Sequence, residues 1–384
     1  MENQPFEIDL IRTFVEPVAL KDGRLLALDR EDMSALLSSD GGRTWDRGGP
    51  LLDVRGGAVV GEAFTRAYIV NLLRLRSGEI ALKFEAQQEG PRDAASPQLI
   101  AYFTKSDDEG ATWSDPVRIT PLETPSNATW LIETSEGNLL LPIEYAYSQS
   151  GGDRRAKMSV CTVFISADGG RSWQESSDGL WLDDDGGAVK GLCEVPVVAE
   201  TVDRRLLMFM RTMYQRIAET TSDDGGHTWS PVRLNDLVGS NAEMYLARIP
   251  STGDLLCVWN QASGSEIETG FYRARLTAAI SADGGATWGS FRTLADSPGQ
   301  AQAGRIEDPN PPSYLQTPTA VPPEGYMVDE EFHMNRAPRV SFVEDDVYVT
   351  YTHRRYRYVD GERVQRHDGV KLRVLPVEWF YSGK

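Results

Sequence analysis

The 384-residue chain predicts an all-β fold, a six-bladed β-propeller built from four-stranded antiparallel blades, and two interleaved repeats carry that prediction. The first repeat is the pattern S-x-D-x-G-x-[TS]-W. It occurs as SSDGGRTW (38–45), SDDEGATW (106–113), SADGGRSW (166–173), SDDGGHTW (222–229) and SADGGATW (281–288). Its period near 60 residues suits a repeat architecture. The second repeat is a turn followed by a short apolar strand: LKDGRLLAL (20–28), LRSGEIALK (75–83), TSEGNLLLP (134–142), TVDRRLLMF (201–209), PSTGDLLCV (250–258) and VEDDVYVTY (343–351). Six such turns, each flanked by apolar runs, set the number of blades at six. Helical periodicity is not convincing anywhere.

Each blade then reads as strand, turn, strand, loop, strand, Asp-containing turn, strand. In the Asp-containing turn, Gly supplies positive φ, and the Asp and Ser/Thr side chains bond the turn's own backbone. The Trp packs its large surface beneath a neighbouring hairpin. These residues are structural. The sixth unit lacks the Asp-containing turn and has YVDGERVQRHDG (358–369) in its place. The whole chain, 1–384, reads as one propeller domain with a Pro-rich insertion at about 296–325. An irregular stretch of that length is a functional lid or a disordered segment.

Composition narrows the function. A net charge of −18 argues against nucleic acid and anionic membranes as partners, while leaving room for a local basic pocket. Cys161, Cys193 and Cys257 are odd in number and widely spaced, which suggests neither a disulfide framework nor a zinc site. The N-terminal residues show no basic and apolar leader, so the cytoplasm is the default compartment, and a secreted protein follows only if a leader has been removed. No GxGxxG, P-loop or HExxH occurs, so no cofactor is expected.

The second repeat also locates a site. With the first-turn residues Asp22, Ser77, Glu136, Asp203, Thr252 and Asp345 as origin, the positions eight later are Arg30, Glu85, Glu144, Arg211, Asn260 and His353. The positions nine earlier are Thr13, Tyr68, Asn127, Glu194, Glu243 and Arg336. All twelve are polar or ionisable beside apolar strands, which suits the rim of a ligand pocket. Glu85, Glu144 and Glu243 have the chemistry for Ca²⁺, but their blade spacing explains them without a metal.

The S-x-D-x-G-x-[TS]-W repeat resembles the Asp-box of the sialidase superfamily, and the resemblance spans nearly the whole chain. It implies roles for particular residues. Glu194 and Arg211, in GLCEVPVVAETVDRRLLMFMRT (191–212), match the glutamate that polarises a nucleophilic Tyr and the second of three substrate-binding arginines. Arg275, or else Arg273, in FYRARLTAAISADGG (271–285), matches the third arginine; read as one strand, alternation places both on the same face. Three places depart from the family. FVEP (14–17) puts Val15 at the first arginine, leaving Arg12 as the substitute. The short loop LDREDMSA (28–35) offers Asp29, with Asp32, as catalytic acid. NRAPRVSF (335–342) puts Arg336 or Ala337 where the Tyr nucleophile belongs, leaving Tyr68, Tyr314 and Tyr326 as sources of a phenol.

Paired carboxylates suit glycoside hydrolysis, and arginines suit a substrate with a carboxylate. The expected function is therefore a sialidase-like exo-glycoside hydrolase acting on a carbohydrate substrate, an acidic, sialic-acid-like or uronic sugar. One alternative is a polysaccharide lyase on a uronate-containing glycan, with His353 or His333 and a Tyr such as Tyr351 abstracting the proton. The other is a non-catalytic carbohydrate-binding propeller. The sequence does not reveal the oligomeric state.

Overall fold

The computed structural model describes residues 5–10, 16–29, 32–60, 64–88, 99–121, 126–148, 157–182, 193–268, 271–300, 304–307, 332–359 and 362–382. They form a six-bladed propeller of antiparallel blades. Strand β1 (Phe6–Leu10) comes first. Blade one holds β2 (Val18–Ala19), β3 (Leu25–Leu28), β4 (Ser34–Ser38) and β5 (Asp46–Pro50). Blade two holds β6 (Phe64–Arg74), β7 (Ile80–Gln88), β8 (Leu99–Ser106) and β9 (Val117–Arg118). In blade three the first strand is broken into β10 (Ser126–Ala128) and β11 (Ile132–Glu133). Both pair with β12 (Leu139–Ser148), followed by β13 (Lys157–Ser166) and β14 (Gln174–Glu175).

Blade four holds β15 (Glu194–Glu200), β16 (Leu206–Arg211), β17 (Arg216–Ser222) and β18 (Arg233–Val238). Blade five holds β19 (Tyr245–Arg248), β20 (Leu255–Trp259), β21 (Leu276–Ser281) and β22 (Gly289–Ala295), with the short helix α1 (Gly264–Glu268) between β20 and β21. Blade six holds β23 (Phe332–Val343), β24 (Asp346–Val359) and β25 (Glu362–Pro376), and β1 is its fourth strand. Helix α2 (Val377–Tyr381) follows. Both helices are too short to show a helical period in sequence.

Contacts group the chain into two compact units. One comprises Met1–Ile11, Leu192–Thr221 and Ser230–Lys384; the other comprises Arg12–Gly191 and Ser222–Trp229. In each, the core lies between neighbouring blades. Leu26, Leu28, Leu82, Phe84 and Trp113 fill the space between blades one and two. Leu256, Val258, Ile280, Val349 and Phe380 fill that between blades five and six. Middle strands covered on both faces read as unbroken apolar runs, as LLAL in β3 and LLCVW in β20, each fully buried. The edge strand β5, DRGGP, is exposed throughout.

The Asp-containing turn closes as its residues require. In all five copies the Ser hydroxyl donates to the Asp Oδ1 at 2.8–2.9 Å and accepts from the second Gly N–H at 2.8–2.9 Å. The Thr or Ser four residues after the Asp donates its N–H to Oδ1 and its hydroxyl to Oδ2. The second Gly is required by space as well as by φ. A Cβ on Gly170 would lie 2.1 Å from Phe103 of blade two, and one on Gly285 would lie 2.4 Å from Leu207 of blade four. Trp173 stands edge-on to the same Phe103, with ring centroids 5.7 Å apart.

No helix among the described residues is long and apolar enough to cross a membrane. Among them, no group of three or more His, Cys, Asp or Glu side chains is placed to hold a metal ion. Cys161, Cys193 and Cys257 are buried.

Candidate functional site

The offsets of eight and nine residues have a structural meaning. A hairpin folded about one turn brings residues at mirrored distances face to face, and the register pairs Tyr68 with Glu85, Asn127 with Glu144, and Glu194 with Arg211. In blade six a bulge shifts the match, and Arg336 pairs with Thr352.

Blades four to six gather a charge cluster. Glu194 opens β15 and Arg211 closes β16; Arg211 Nε donates to Glu194 Oε2 at 2.9 Å, with Nη2 2.8 Å from the same oxygen. Just ahead of β19, Glu243 Oε1 lies 3.8 Å from Arg211 Nη1. Burial works to raise the Glu243 pKa, but the positive charges of Arg211, Arg273 and Arg336 outweigh it and hold the carboxyl below its usual range. Glu243 Oε2 is out of reach of water and has no hydrogen-bond partner; Arg336 Nε is in the same condition. Arg273 spends Nε and Nη2 on the carbonyl of Asn241, at 3.2 and 2.7 Å, and its guanidinium lies 5.5 Å from the ring centroid of Tyr272. Three arginines from successive blades thus surround one carboxylate. With Glu194 included, the formal balance of these five side chains is one net positive charge, in a chain of −18.

Two bulges position this cluster. The register slips between Glu194 and Val197, and again between Arg336 and Arg339. Val195 and Ala337, the residues just after Glu194 and Arg336, take φ of 51° and 52°. Left-handed backbone at a β-branched Val costs energy and persists only where surroundings enforce it. Bulges re-aim side chains, and here they do so beside Glu194, which opens blade four, and Arg336, within the first strand of blade six.

Arg273 and Arg275 part company. They lie in a turn ahead of β21, not on a strand, so alternation does not align them. Arg275, the preferred third arginine, is buried and makes a forked pair with Glu266: Nη1 to Oε2 at 3.0 Å and Nη2 to Oε1 at 2.6 Å. Glu266 is a residue the sequence reading missed, and it had a signal. S-x-x-E at 263–266 is a capping box, with Ser263 N–H donating to Glu266 Oε2 at 2.9 Å and Glu266 N–H to Ser263 Oγ at 3.2 Å. Arg273, the second choice, is the one that joins Arg211 and Glu243.

The other positions in blades five and six point inward. Asn260 is buried and donates to the carbonyls of Arg275 and Asn335 at 2.9 and 2.7 Å. Asn335 Nδ2 donates to Ala274 O at 2.7 Å, which fixes its amide. Its Oδ1 therefore accepts from His353 Nδ1, 2.8 Å away. His333 stands edge-on to His353, ring centroids 5.0 Å apart. Tyr351 hydrogen-bonds Glu7 Oε2 at 3.1 Å; burial first, and Glu7 second, push its pKa well above 10. The Tyr351 hydroxyl is thus engaged by Glu7.

In the other unit the carboxylates have structural partners. Asp29 is fully buried, with Oδ2 2.7 Å from Arg47 Nη1; Asp32 also contacts Arg47. The candidate acid therefore pins the loop of blade one to its edge strand. Glu85 is fully buried and accepts from Ala128 N–H, while Lys83 Nζ, 3.8 Å away, donates to Ala128 O at 2.7 Å. Glu144 accepts from Ser159 Oγ at 3.2 Å. These acids are not rim groups. Arg12, Arg30, Thr13, Val15, Tyr314 and Tyr326 lie outside the described residues, as do the side chains of Tyr68 and Asn127.

The model of a family described as a BNR repeat-like domain matches residues 65–333. Solved structures similar to the chain include a protein of unknown function from Dyadobacter fermentans, at 17% identity and TM-score 0.61, over 96% of this chain and 97% of that one. An intramolecular trans-sialidase from Ruminococcus gnavus, in complex with oseltamivir carboxylate, is 13% identical at TM-score 0.56, over 97% and 96%. A variant of the NanB sialidase from Streptococcus pneumoniae is 12% identical at TM-score 0.55, over 95% and 68%. Likeness at these identities shows the fold. No curated protein matches the sequence.

Proposed function

The chain belongs to the family of BNR repeat-like domains, and on that premise we propose that it is a sialidase-like exo-glycoside hydrolase acting on a sugar that carries a carboxylate. The observation that supports this reading is the convergence of Arg211, Arg273 and Arg336 around Glu243. Guanidinium groups present planar donors that match a carboxylate, and their partial burial strengthens that pairing over its value in water. Glu194 holds Arg211 in place through two contacts to one oxygen. An acidic protein would repel an anionic sugar elsewhere on its surface, so a net positive patch also selects where the sugar lands.

A second reading, a non-catalytic carbohydrate-binding propeller, has its own observation. Arg336 stands at the sixth-blade position where the resemblance implies a Tyr nucleophile, and Asp29 is engaged by Arg47. Hydrolysis of aryl glycosides of N-acetylneuraminate, its deaminated relative and glucuronate separates the two. Release from one substrate that falls about 100-fold in Arg211→Ala and Arg273→Ala, roughly 3 kcal/mol of transition-state binding, supports the hydrolase. Saturable binding of the same sugars without release supports the binding protein. Neither release nor binding removes the acidic-sugar reading altogether.

A further inference from the structure

We propose that Glu243 is a proton-coupled placeholder: an incoming carboxylate takes over the three arginines, and Glu243 yields by taking one proton from solvent and becoming a neutral acid. This rests on the acidic-sugar reading and adds how the site changes charge on binding.

The contacts of the cluster suit such an exchange. Glu243 is central to the cluster but weakly held. Its contact with Arg211 is 3.8 Å, while Arg211 makes its short bonds to Glu194 and Arg273 makes its own to Asn241 O. Two atoms of the cluster are buried without a hydrogen bond and have opposite chemistry: the acceptor Glu243 Oε2 and the donor Arg336 Nε. A ligand carboxylate that takes the place of Glu243 brings an acceptor toward that donor. It also sets a second negative charge beside Glu243 and draws off the positive charge that keeps Glu243 ionised. Two carboxylates sharing one site cannot both remain charged cheaply, so one proton is taken up. It goes to Glu243, because a sugar carboxyl next to an oxygen-bearing carbon is a stronger acid than a Glu side chain. The protonated Oε then donates a hydrogen bond, where an ionised one would only repel.

Among the described residues, the charged groups set toward Glu243 are Arg211 and, behind it, Glu194 from blade four, Arg273 from blade five and Arg336 from blade six. His353 and His333, also in blade six, need a control. The sign follows from linkage. In the free protein Glu243 is ionised above its depressed pKa, and binding takes up a proton between that value and the raised value of the complex. Affinity therefore weakens as pH rises through that interval.

Calorimetric titration with N-acetylneuraminate and with glucuronate, at pH 5.5 in two buffers of different ionisation enthalpy, reads the proton directly. A Kd series from pH 5 to 8 reads the slope. The wild type is expected to take up close to one proton per sugar, with Kd rising by up to about tenfold per pH unit. Glu243→Gln, checked for an unchanged melting profile, is expected to bind without proton uptake, with a flat Kd at least as tight at pH 7. Sugar binding with no proton uptake, or uptake that persists in Glu243→Gln, overturns the inference and leaves the acidic-sugar reading standing. No binding of either sugar by the wild type overturns both.

Discussion

Arg273 and Arg275 are two residues apart and do different work, and a pair of substitutions should separate them. Arg275 is 1% exposed, with both terminal nitrogens on Glu266. Arg275→Met leaves the Glu266 carboxylate, which Arg275 helps to keep ionised against burial, without its main counter-charge. Breaking a buried pair by removing one partner costs about 3 kcal/mol. The expected result is a lower urea midpoint with little change in sugar affinity. Arg273→Met should do the reverse, because it removes an arginine of the cluster that is anchored through the carbonyl of Asn241. Equal stability loss in the two variants, or equal affinity loss, would refute the division of labour. The sequence preferred Arg275 to Arg273, while the structure pairs Arg275 with Glu266 and sets Arg273 near Glu243. Alternation was applied to residues that turn out to precede the strand, and the partner that claims Arg275 sits on a five-residue helix whose only trace was a capping box.

At the scale of one element, the Asp-containing turn was legible in full, because every bond it makes is local and each residue type has one part in it. Its consequences are measurable in two ways. Gly170, the second glycine of its turn, and Gly225, the first glycine of its own, both have positive φ, 86° and 73°. A Cβ on Gly170 meets Phe103, whereas one on Gly225 meets nothing within 4 Å. Gly225→Ala should therefore cost only the backbone strain, about 1 kcal/mol, and Gly170→Ala about 3 kcal/mol through added overpacking. Equal midpoints in urea would show that the close approach to Phe103 is relieved elsewhere. The second measurement is acid stability. At Asp40 and Asp224 burial opposes ionisation, but the hydrogen bonds from Thr44 and Ser38, and from Thr228 and Ser222, bring each pKa down from 3.8 to about 2. Asp108, Asp168 and Asp283 are lowered for the same local reasons. A depressed folded-state pKa gives stability that is complete above pH 3.8 and lost as pH falls through about 2. The urea midpoint should drop steeply between pH 4 and 2, and Asp224→Asn should flatten part of that drop.

For the molecule as a whole, the six turn-and-strand repeats were enough to count blades, yet the way the last blade is completed was not readable. Blade six has three strands from the C-terminal end, and its fourth is β1, residues 6–10 paired in unbroken register with residues 370–374. FEIDL is too short for its alternation to stand out, and its partner lies at the far end of the sequence, where no local pattern reports it. The same distance governs the energetics. Closing so long a loop carries an entropic cost that the strand's contacts must offset, and non-local pairing of this kind forms late. Glu7 marks the seam: it takes the Lys371 ammonium at 2.5 Å and the Tyr351 hydroxyl at 3.1 Å. Removing residues 1–10 should therefore do more than trim an end. It bares the edge of β25, leaves Tyr351 without its acceptor, and loosens the blade that supplies Arg336 to the arginine cluster. The expected outcome is a urea midpoint lower by at least about 3 kcal/mol of stability, growth of light scattering at concentrations where the full chain stays clear, and weaker sugar binding. A synthetic peptide of residues 1–10 added in trans should restore the midpoint in a concentration-dependent way, since an exposed strand edge accepts an added strand. A truncated chain with an unchanged midpoint would mean that blade six is held by β23, β24 and β25 alone.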